Sequence, residues 1–212
     1  MRFSKPFVSA VALTMVAGAA FAAHVDLKDP RTALGREDNI RVNAQLARDT
    51  ISSSAPISVT YQVENLTQSP IALADKVTDT SYDDDSRTIT LALGAEIPTG
   101  STMPHLVVIA SGEKRVFSCG ALVHIMLSSV RTPWTSVPQF VQIKVNVLRD
   151  VQPFAVLIEQ QRRSATAPAL PNEMFDRWVE STRAVYLNAI PVRWTGSHPQ
   201  ITAENSQASG RY

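Results

Sequence analysis

The densest group of possible metal ligands is an acidic run in the middle of the chain. Asp83, Asp84 and Asp85 follow one another, and Asp79 lies four residues upstream. Carboxylate oxygens are ligands that calcium prefers, so a calcium site is one interpretation. The run lacks the spacing and the glycine of a preformed calcium loop, and Asp side chains often bond neighbouring backbone amides in turns. A solvated turn is therefore the preferred interpretation, and the question of calcium stays open.

The residues that most often hold transition metals are dispersed along the chain. No two histidines have the spacing of a helical metal motif, and no Cys-x-x-Cys completes a zinc site. We therefore expect no metal and no cofactor. The single cysteine, Cys119, lies in an apolar stretch and is interpreted as a small buried residue that forms no internal disulfide. The histidines are His24, His105, His124 and His198.

A search for an activated nucleophile finds no convincing motif. The sequence contains no Gly-x-Ser-x-Gly elbow and no glycine-rich phosphate loop. Ser111-Gly112-Glu113-Lys114 has the Ser-x-x-Lys spacing, but a glycine in a turn between two strands explains it without chemistry. We therefore expect no catalytic residues and a protein that is not an enzyme. An alternative is an exported hydrolase whose site is assembled from residues distant in sequence, such as His105, His124, Asp83 and Glu113.

The amino terminus predicts export. Arg2 and Lys5 precede an uncharged, largely apolar run that ends in Ala20-Phe21-Ala22, the small-x-small pattern that signal peptidases cleave. We interpret residues 1–22 as a signal peptide and expect a periplasmic or secreted protein. The run is short for a membrane span and no cysteine follows the cleavage point, so we expect neither stable membrane insertion nor a lipid anchor.

The near-zero net charge limits the classes of partner that we expect the chain to bind. Loss of residues 1–22 removes Arg2 and Lys5 and leaves 190 residues with 18 basic and 19 acidic side chains. Binding to nucleic acid needs clustered lysine and arginine, so we expect no nucleic-acid partner. A chain of this length accommodates one domain with appendages.

The middle of the chain has the two-residue period of strands with one buried face. The clearest case runs from Ile57 to Glu64, and a second follows Gln139. About seven strands at short spacings, with no helical pattern between them, predict an antiparallel sandwich or barrel over residues 39–150 and argue against parallel strands. Residues 23–38 are predicted to be an irregular lead-in.

The carboxy-terminal third changes character. We predict an edge strand and linker over residues 151–171, a helix over residues 172–190 and a flexible tail over residues 191–212. An apolar stripe on this helix is the candidate partner-binding surface, unless the helix packs on its own domain. The candidate residues are Phe175, Trp178, Val179 and Tyr186.

Two patterns carry a resemblance to a known family. The strand that ends in Val63-Glu64-Asn65 is followed by Ser69-Pro70-Ile71, and Ser111-Gly112-Glu113-Lys114 forms a turn before another strand. In these features, over about residues 36–150, the chain resembles immunoglobulin-like β-sandwiches of bacterial envelope proteins and proteinase-inhibitor modules. The resemblance implies a mostly β chain, an antiparallel immunoglobulin-like sandwich of about seven strands with a C-terminal α-helix.

These observations favour a non-catalytic exported module that binds another envelope or secreted protein. Besides the dispersed hydrolase, a small-ligand or carbohydrate-binding module stays open, and it predicts Trp134 or Trp178 exposed on a concave face. The identity of the partner and the oligomeric state stay open.

Overall fold

The computed structural model describes residues 25–52, 54–74, 77–94, 102–123, 137–164 and 168–195. The predicted signal peptide and most of the predicted tail lie outside these ranges. So do His24, His124, His198 and Trp134.

The described residues are mostly β, with two main sheets and two α-helices, which confirms the predicted class. In chain order the strands are β1 (Thr32–Glu37), β2 (Ile40–Leu46), β3 (Thr50–Ile51), β4 (Ile57–Asn65), β5 (Ile71–Ala74), β6 (Val77–Asp83), β7 (Thr88–Gly94), β8 (Leu106–Ile109), β9 (Lys114–Ala121), β10 (Phe140–Leu148), β11 (Thr182–Tyr186), β12 (Ile190–Pro191) and β13 (Arg193–Trp194), and the helices are α1 (Ala155–Arg163) and α2 (Phe175–Ser181).

The first sheet has four antiparallel strands in the order β1-β2-β4-β9. Its first strand corrects the prediction of an irregular lead-in, because residues 32–37 pair with β2 along their length. The connection is the two residues Asp38 and Asn39, whose φ angles are 46° and 64°. Two consecutive positive φ angles are typical of the type I′ hairpin turn, for which Asn and Asp are well suited.

The second sheet has seven strands and is mixed, so the prediction of purely antiparallel sheets is wrong. β10 is its centre and pairs in parallel with β7, while β11 and β12 pair antiparallel with β10. Parallel neighbours need a long connection. Residues 95–139 supply it, and within them β9 adds a strand to the other sheet. Counting the short gaps between consecutive strands could not reveal this pairing.

The buried faces of the two sheets share one core. Alternate residues of β4 and β10 point into this core. These are the apolar positions of the two-residue alternation seen in the sequence. Burial of such apolar side chains, at about 1.5–3 kcal/mol each, is the main stabilising term. Among the fully buried residues of these two strands are Tyr61, Val63, Val141, Ile143 and Val145.

The carboxy-terminal third differs from the predictions. Residues 155–163, within the predicted edge strand and linker, form α1, because Leu, Glu, Gln and Arg favour helix and Glu159 pairs with Arg163 one turn later, at 2.9 Å. The predicted helix over residues 172–190 begins as a 3-10 turn and ends at Ser181. The chain then becomes β11, because β10 offers backbone groups to pair with.

The described part of the predicted tail is also ordered by pairing. β12 lies against β10, and β13 pairs in parallel with β3. Arg193 reinforces this contact through an ion pair with Asp49 at 2.6 Å. Residues 196–212 lie outside the described ranges.

Candidate binding face

The outer face of the mixed sheet is divided into a covered half and an open half. Along β10, residues 141, 143, 145 and 147 point into the shared core, and the alternate residues point away from it. At one end the outward Leu148 is buried in a second core. At the other end the outward Phe140, Gln142 and Lys144 remain at least partly exposed.

The helices form the covered half. Trp178 of α2 is 1% exposed and meets the ring of Phe154 edge-on, with the ring centroids 5.3 Å apart. Ile158 of α1, together with Ala72 and Leu148 of the sheet, belongs to the same second core. Burial of both aromatic rings holds the helices on this half of the sheet.

The open half carries two aromatic side chains and a cation. We call Phe140, Gln142, Lys144 and Tyr186 the open face. Tyr186 lies opposite Lys144 in the β10–β11 register, and the Lys144 Nζ lies 5.8 Å from its ring centroid. Tyr186 is 58% exposed and Phe140 is 37% exposed. Phe140 lies four residues before Lys144 on β10, which places the two backbone positions about 13 Å apart along the strand.

The strand that carries Tyr186 is fixed against the other sheet. Asn188 bonds the backbone of Leu34 on β1 twice: its N–H donates to the Leu34 carbonyl at 3.1 Å, and its Oδ1 accepts the Leu34 N–H at 2.6 Å. Gly35 permits this approach, since a Cβ there would lie 2.5 Å from the Tyr186 carbonyl oxygen. The open face is therefore built on rigid backbone.

The four candidate partner-binding residues do not form one helical stripe. Trp178 is a core residue, and Phe175 packs half-buried against the same core. Val179 is 51% exposed on α2, and Tyr186 belongs to a strand. The helical spacing was misleading because the helix ends before Val185 and Tyr186.

Sequence reasoning found part of the open face. In the two-residue pattern that follows Gln139, the apolar residues alternate with polar ones, which predicts that Gln142 and Lys144 point away from the core. Phe140 and the contact between Lys144 and Tyr186 were missed, because Lys144 and Tyr186 are 42 residues apart in sequence and their register leaves no local pattern.

The dispersed hydrolase residues are not assembled among the described residues. His105 and Glu113 lie at opposite ends of β8, about 13 Å of strand apart. Glu113 accepts the Ala110 N–H at 2.7 Å and pairs with Arg115, so its carboxylate is already engaged. His124 lies outside the described residues.

The acidic run forms the turn between β6 and β7. Asp83, Asp84 and Asp85 bring carboxylate oxygens within 4.8 Å of one another. Asp83 accepts the Asp85 N–H at 3.0 Å and the Ser86 hydroxyl at 2.7 Å, which is the turn chemistry expected from the sequence.

The carboxylates whose pKa values are lowered take part in ion pairs outside the open face. The Arg31 guanidinium and backbone N–H hold the pKa of Asp29 well below its usual range. Hydrogen bonds from Arg193 and Thr50 lower the pKa of Asp49, and the Ala110 N–H and Arg115 lower that of Glu113. The Asp49 pair joins β3 to the carboxy-terminal segment, whereas Asp29 and Glu113 bond mainly residues of their own turns.

Comparison of the chain with protein-family models, with curated proteins and with solved structures finds no match. Within the described ranges, the helices are too short to cross a membrane.

Proposed function

We propose that this chain is an exported, non-catalytic binding module, an immunoglobulin-like sandwich with one mixed sheet, that binds another envelope or secreted protein through the open face. The observation that carries the proposal is the half-covered sheet. The helices bury one half of its outer surface, whereas the other half presents Phe140 and Tyr186 to solvent.

The chemistry of the open face suits a protein partner. Aromatic side chains provide large contact areas at low entropic cost and dominate binding energies in protein interfaces. Lys144 and Gln142 add a positive charge and an amide between the two rings. A partner surface with apolar pockets and a carboxylate facing Lys144 would complement this arrangement.

Site-specific photo-crosslinking in the cell that makes the protein tests the proposal. A benzophenone amino acid replaces Phe140 or Tyr186 in turn, and Ser118, exposed on the four-stranded sheet, is the control position. We expect one protein adduct of the same mass from positions 140 and 186 and none from position 118. Absence of adducts from the open face, or equal adducts from position 118, contradicts the proposal.

Substitution then measures the contribution of each ring. Tyr186→Ala and Phe140→Ala should each weaken binding of the crosslinked partner by about tenfold or more, as for aromatic anchors. Val156→Ala, at a position 71% exposed on α1, is the matched control and should leave the affinity unchanged.

The alternative functions have less support among the described residues. The carbohydrate hypothesis relied on an exposed Trp134 or Trp178; Trp178 is buried, and Trp134 lies outside the described residues. The hydrolase hypothesis needs two of its four residues within hydrogen-bond reach. β8 separates His105 from Glu113, and Asp83 ends β6 at the opposite edge of the mixed sheet from β8. His124 lies outside the described residues.

A further inference from the structure

A cleft of about 470 Å³ lies beside the Phe140 end of the open face. Pro191 is the register partner of Phe140 in the β10–β12 pair, so their side chains lie on the same side of the sheet, on strands about 5 Å apart. Pro191 and Pro30 are both exposed and both line the cleft, which is therefore continuous with the open face. We call this space the proline cleft. Its other lining residues are Arg31, Asp49, Val192 and Arg193.

Hydrogen bonds hold together the three segments that surround the proline cleft. Arg31 Nη1 donates to the Ala47 carbonyl at 2.8 Å, which ties the amino-terminal segment to the residue after β2. The Arg193 N–H donates to the Asp49 carbonyl, also at 2.8 Å, and the side chains of the same two residues form an ion pair. Val192 belongs to the shared core. The shape of the cleft is therefore fixed before a partner binds.

The charges around the proline cleft are matched in pairs. Arg31 pairs with Asp29, and Arg193 pairs with Asp49. Hydrogen bonds from these arginines lower the pKa values of both aspartates, so both carboxylates are ionised at neutral pH. A charged group from a partner would find each arginine already neutralised, and it would lose its hydration on entering. An uncharged side chain is therefore the better occupant.

The Arg31 guanidinium offers a flat surface for such a side chain. Its Nε and Nη2 bond the Asp29 carboxylate, and its Nη1 bonds the Ala47 carbonyl. These donors point outward in the plane of the group, so the hydrogen bonds leave the two faces of that plane open. The side chain is 36% exposed. A guanidinium face stacks favourably on an aromatic ring.

We infer that the partner of the open face places an aromatic side chain in the proline cleft, with its ring against the Arg31 guanidinium, Pro30 and Pro191. This inference rests on the function proposed above and names the chemistry of the partner: an aromatic residue one strand spacing beyond its contact with Phe140. The ring adds a third anchor to those at Phe140 and Tyr186. Aromatic side chains in preformed clefts are the usual anchors of protein interfaces.

Crosslinking from the far side of the cleft tests the inference. The benzophenone amino acid replaces Pro30, and the exposed Pro56, which does not line this cleft, is the control position. We expect position 30 to capture the same partner as positions 140 and 186, through a peptide of that partner that contains Trp, Tyr or Phe. Position 56 should give no adduct.

The pattern of adducts separates the two proposals. Adducts from positions 140 and 186 but none from position 30 overturn this inference alone. So do equal adducts from position 56, or a crosslinked peptide without an aromatic residue. Absence of adducts from positions 140, 186 and 30 overturns the proposed function as well.

Substitution measures the contact in the purified complex. Pro30→Asp should weaken binding by about tenfold, because it places a carboxylate against the ring of the partner. Pro56→Asp is the matched control and should bind as the original protein does. Replacement of the partner's aromatic residue with Ala should weaken binding similarly, and the two changes together should cost less than the product of their separate effects, because both remove one contact. Unchanged or tighter binding by Pro30→Asp, or fully independent effects, overturns the inference.

Discussion

Asn65 shows at the scale of one residue how a polar side chain holds three segments together. It is fully buried, and its Nδ2 donates to the carbonyls of Ser69 and Ile109 at 2.8 and 3.0 Å. Its Oδ1 accepts the Thr67 N–H at 3.0 Å. The side chain thus joins the end of β4 to the start of β5 and to β8, where the chain passes from one sheet to the other.

We predict that Asn65→Ala lowers the free energy of unfolding by about 3 kcal/mol, because the Ser69 and Ile109 carbonyls lose this donor. Urea denaturation measures the change. Asn43→Ala is the control, since Asn43 is only half-buried and makes no side-chain hydrogen bond among the described residues; it should change stability by less than about 0.5 kcal/mol. Equal effects of the two substitutions would contradict this role for Asn65.

Substitution of Gly94 and Gly112 allows the energetic cost of backbone strain to be compared with the cost of steric overlap. Gly94 and Gly112 both have positive φ, 82° and 74°. A Cβ at Gly94 would overlap the Asn146 carbonyl oxygen and lie 2.9 Å from Leu73 Cδ1, whereas a Cβ at Gly112 meets nothing within 4 Å.

Gly112→Ala should therefore destabilise the protein by about 1 kcal/mol through strain alone. Gly94→Ala should cost clearly more, because the backbone of β10 must also move. Thermal or urea unfolding of both variants distinguishes the two terms. A Gly94→Ala variant as stable as Gly112→Ala would show that the sheet adapts to the added methyl group.

At the scale of elements, the helix α2 is a core element on one side and a surface on the other. Trp178→Ala should lower the free energy of unfolding by about 3–5 kcal/mol, since it opens a large cavity against Phe154. Val179→Ala, on the exposed side of the same helix, should change it by less than about 0.5 kcal/mol. Denaturant titration of both variants measures this difference. If Trp178→Ala changed the free energy of unfolding as little as Val179→Ala, the packing of Trp178 against Phe154 would be contradicted.

Elements with strong local patterns were predictable. The alternation over β4, β7 and β10 identified these strands, because each has one face in the shared core. β1 and β11 were missed, since their strand conformation depends on partners that are remote or joined by a short turn. α1 was mistaken for a strand because Phe154, Val156 and Ile158 alternate in sequence, although Phe154 and Ile158 also lie one helical turn apart and share the second core.

The open face was only partly predictable for the same physical reason. The outward residues of β10 can be predicted from the two-residue alternation of its own sequence. The position of Tyr186 beside Lys144 depends on the register between distant strands, which the sequence of neither strand determines alone.

At the scale of the whole molecule, polar contacts join both terminal segments to the strands. The ion pair of Arg193 with Asp49 links the carboxy-terminal segment to β3, and the hydrogen bond from Gln45 to Asp29 links the amino-terminal segment to β2. The pKa values of Asp29, Asp49 and Glu113 are lowered by their partners. A carboxylate with a lowered pKa in the folded state stabilises the fold above its unfolded pKa of about 4, and this contribution is lost as the pH falls.

We therefore expect the free energy of unfolding to be constant near neutral pH and to fall below about pH 5. Asp29→Asn combined with Asp49→Asn should reduce the dependence on pH, whereas Asp176→Asn, at an exposed residue of α2, should not. Urea denaturation across this pH range measures the dependence. An unchanged slope in the double variant would mean that other carboxylates determine it.

The parallel pairing of β7 with β10 also determines the order in which the chain can fold. All four strands of the antiparallel sheet are complete at Ala121, but the central strand of the mixed sheet ends only at Leu148. A chain emerging from the ribosome therefore completes one sheet before the other has its centre. During that interval an apolar face is uncovered, which is the condition in which nascent chains aggregate or engage a chaperone.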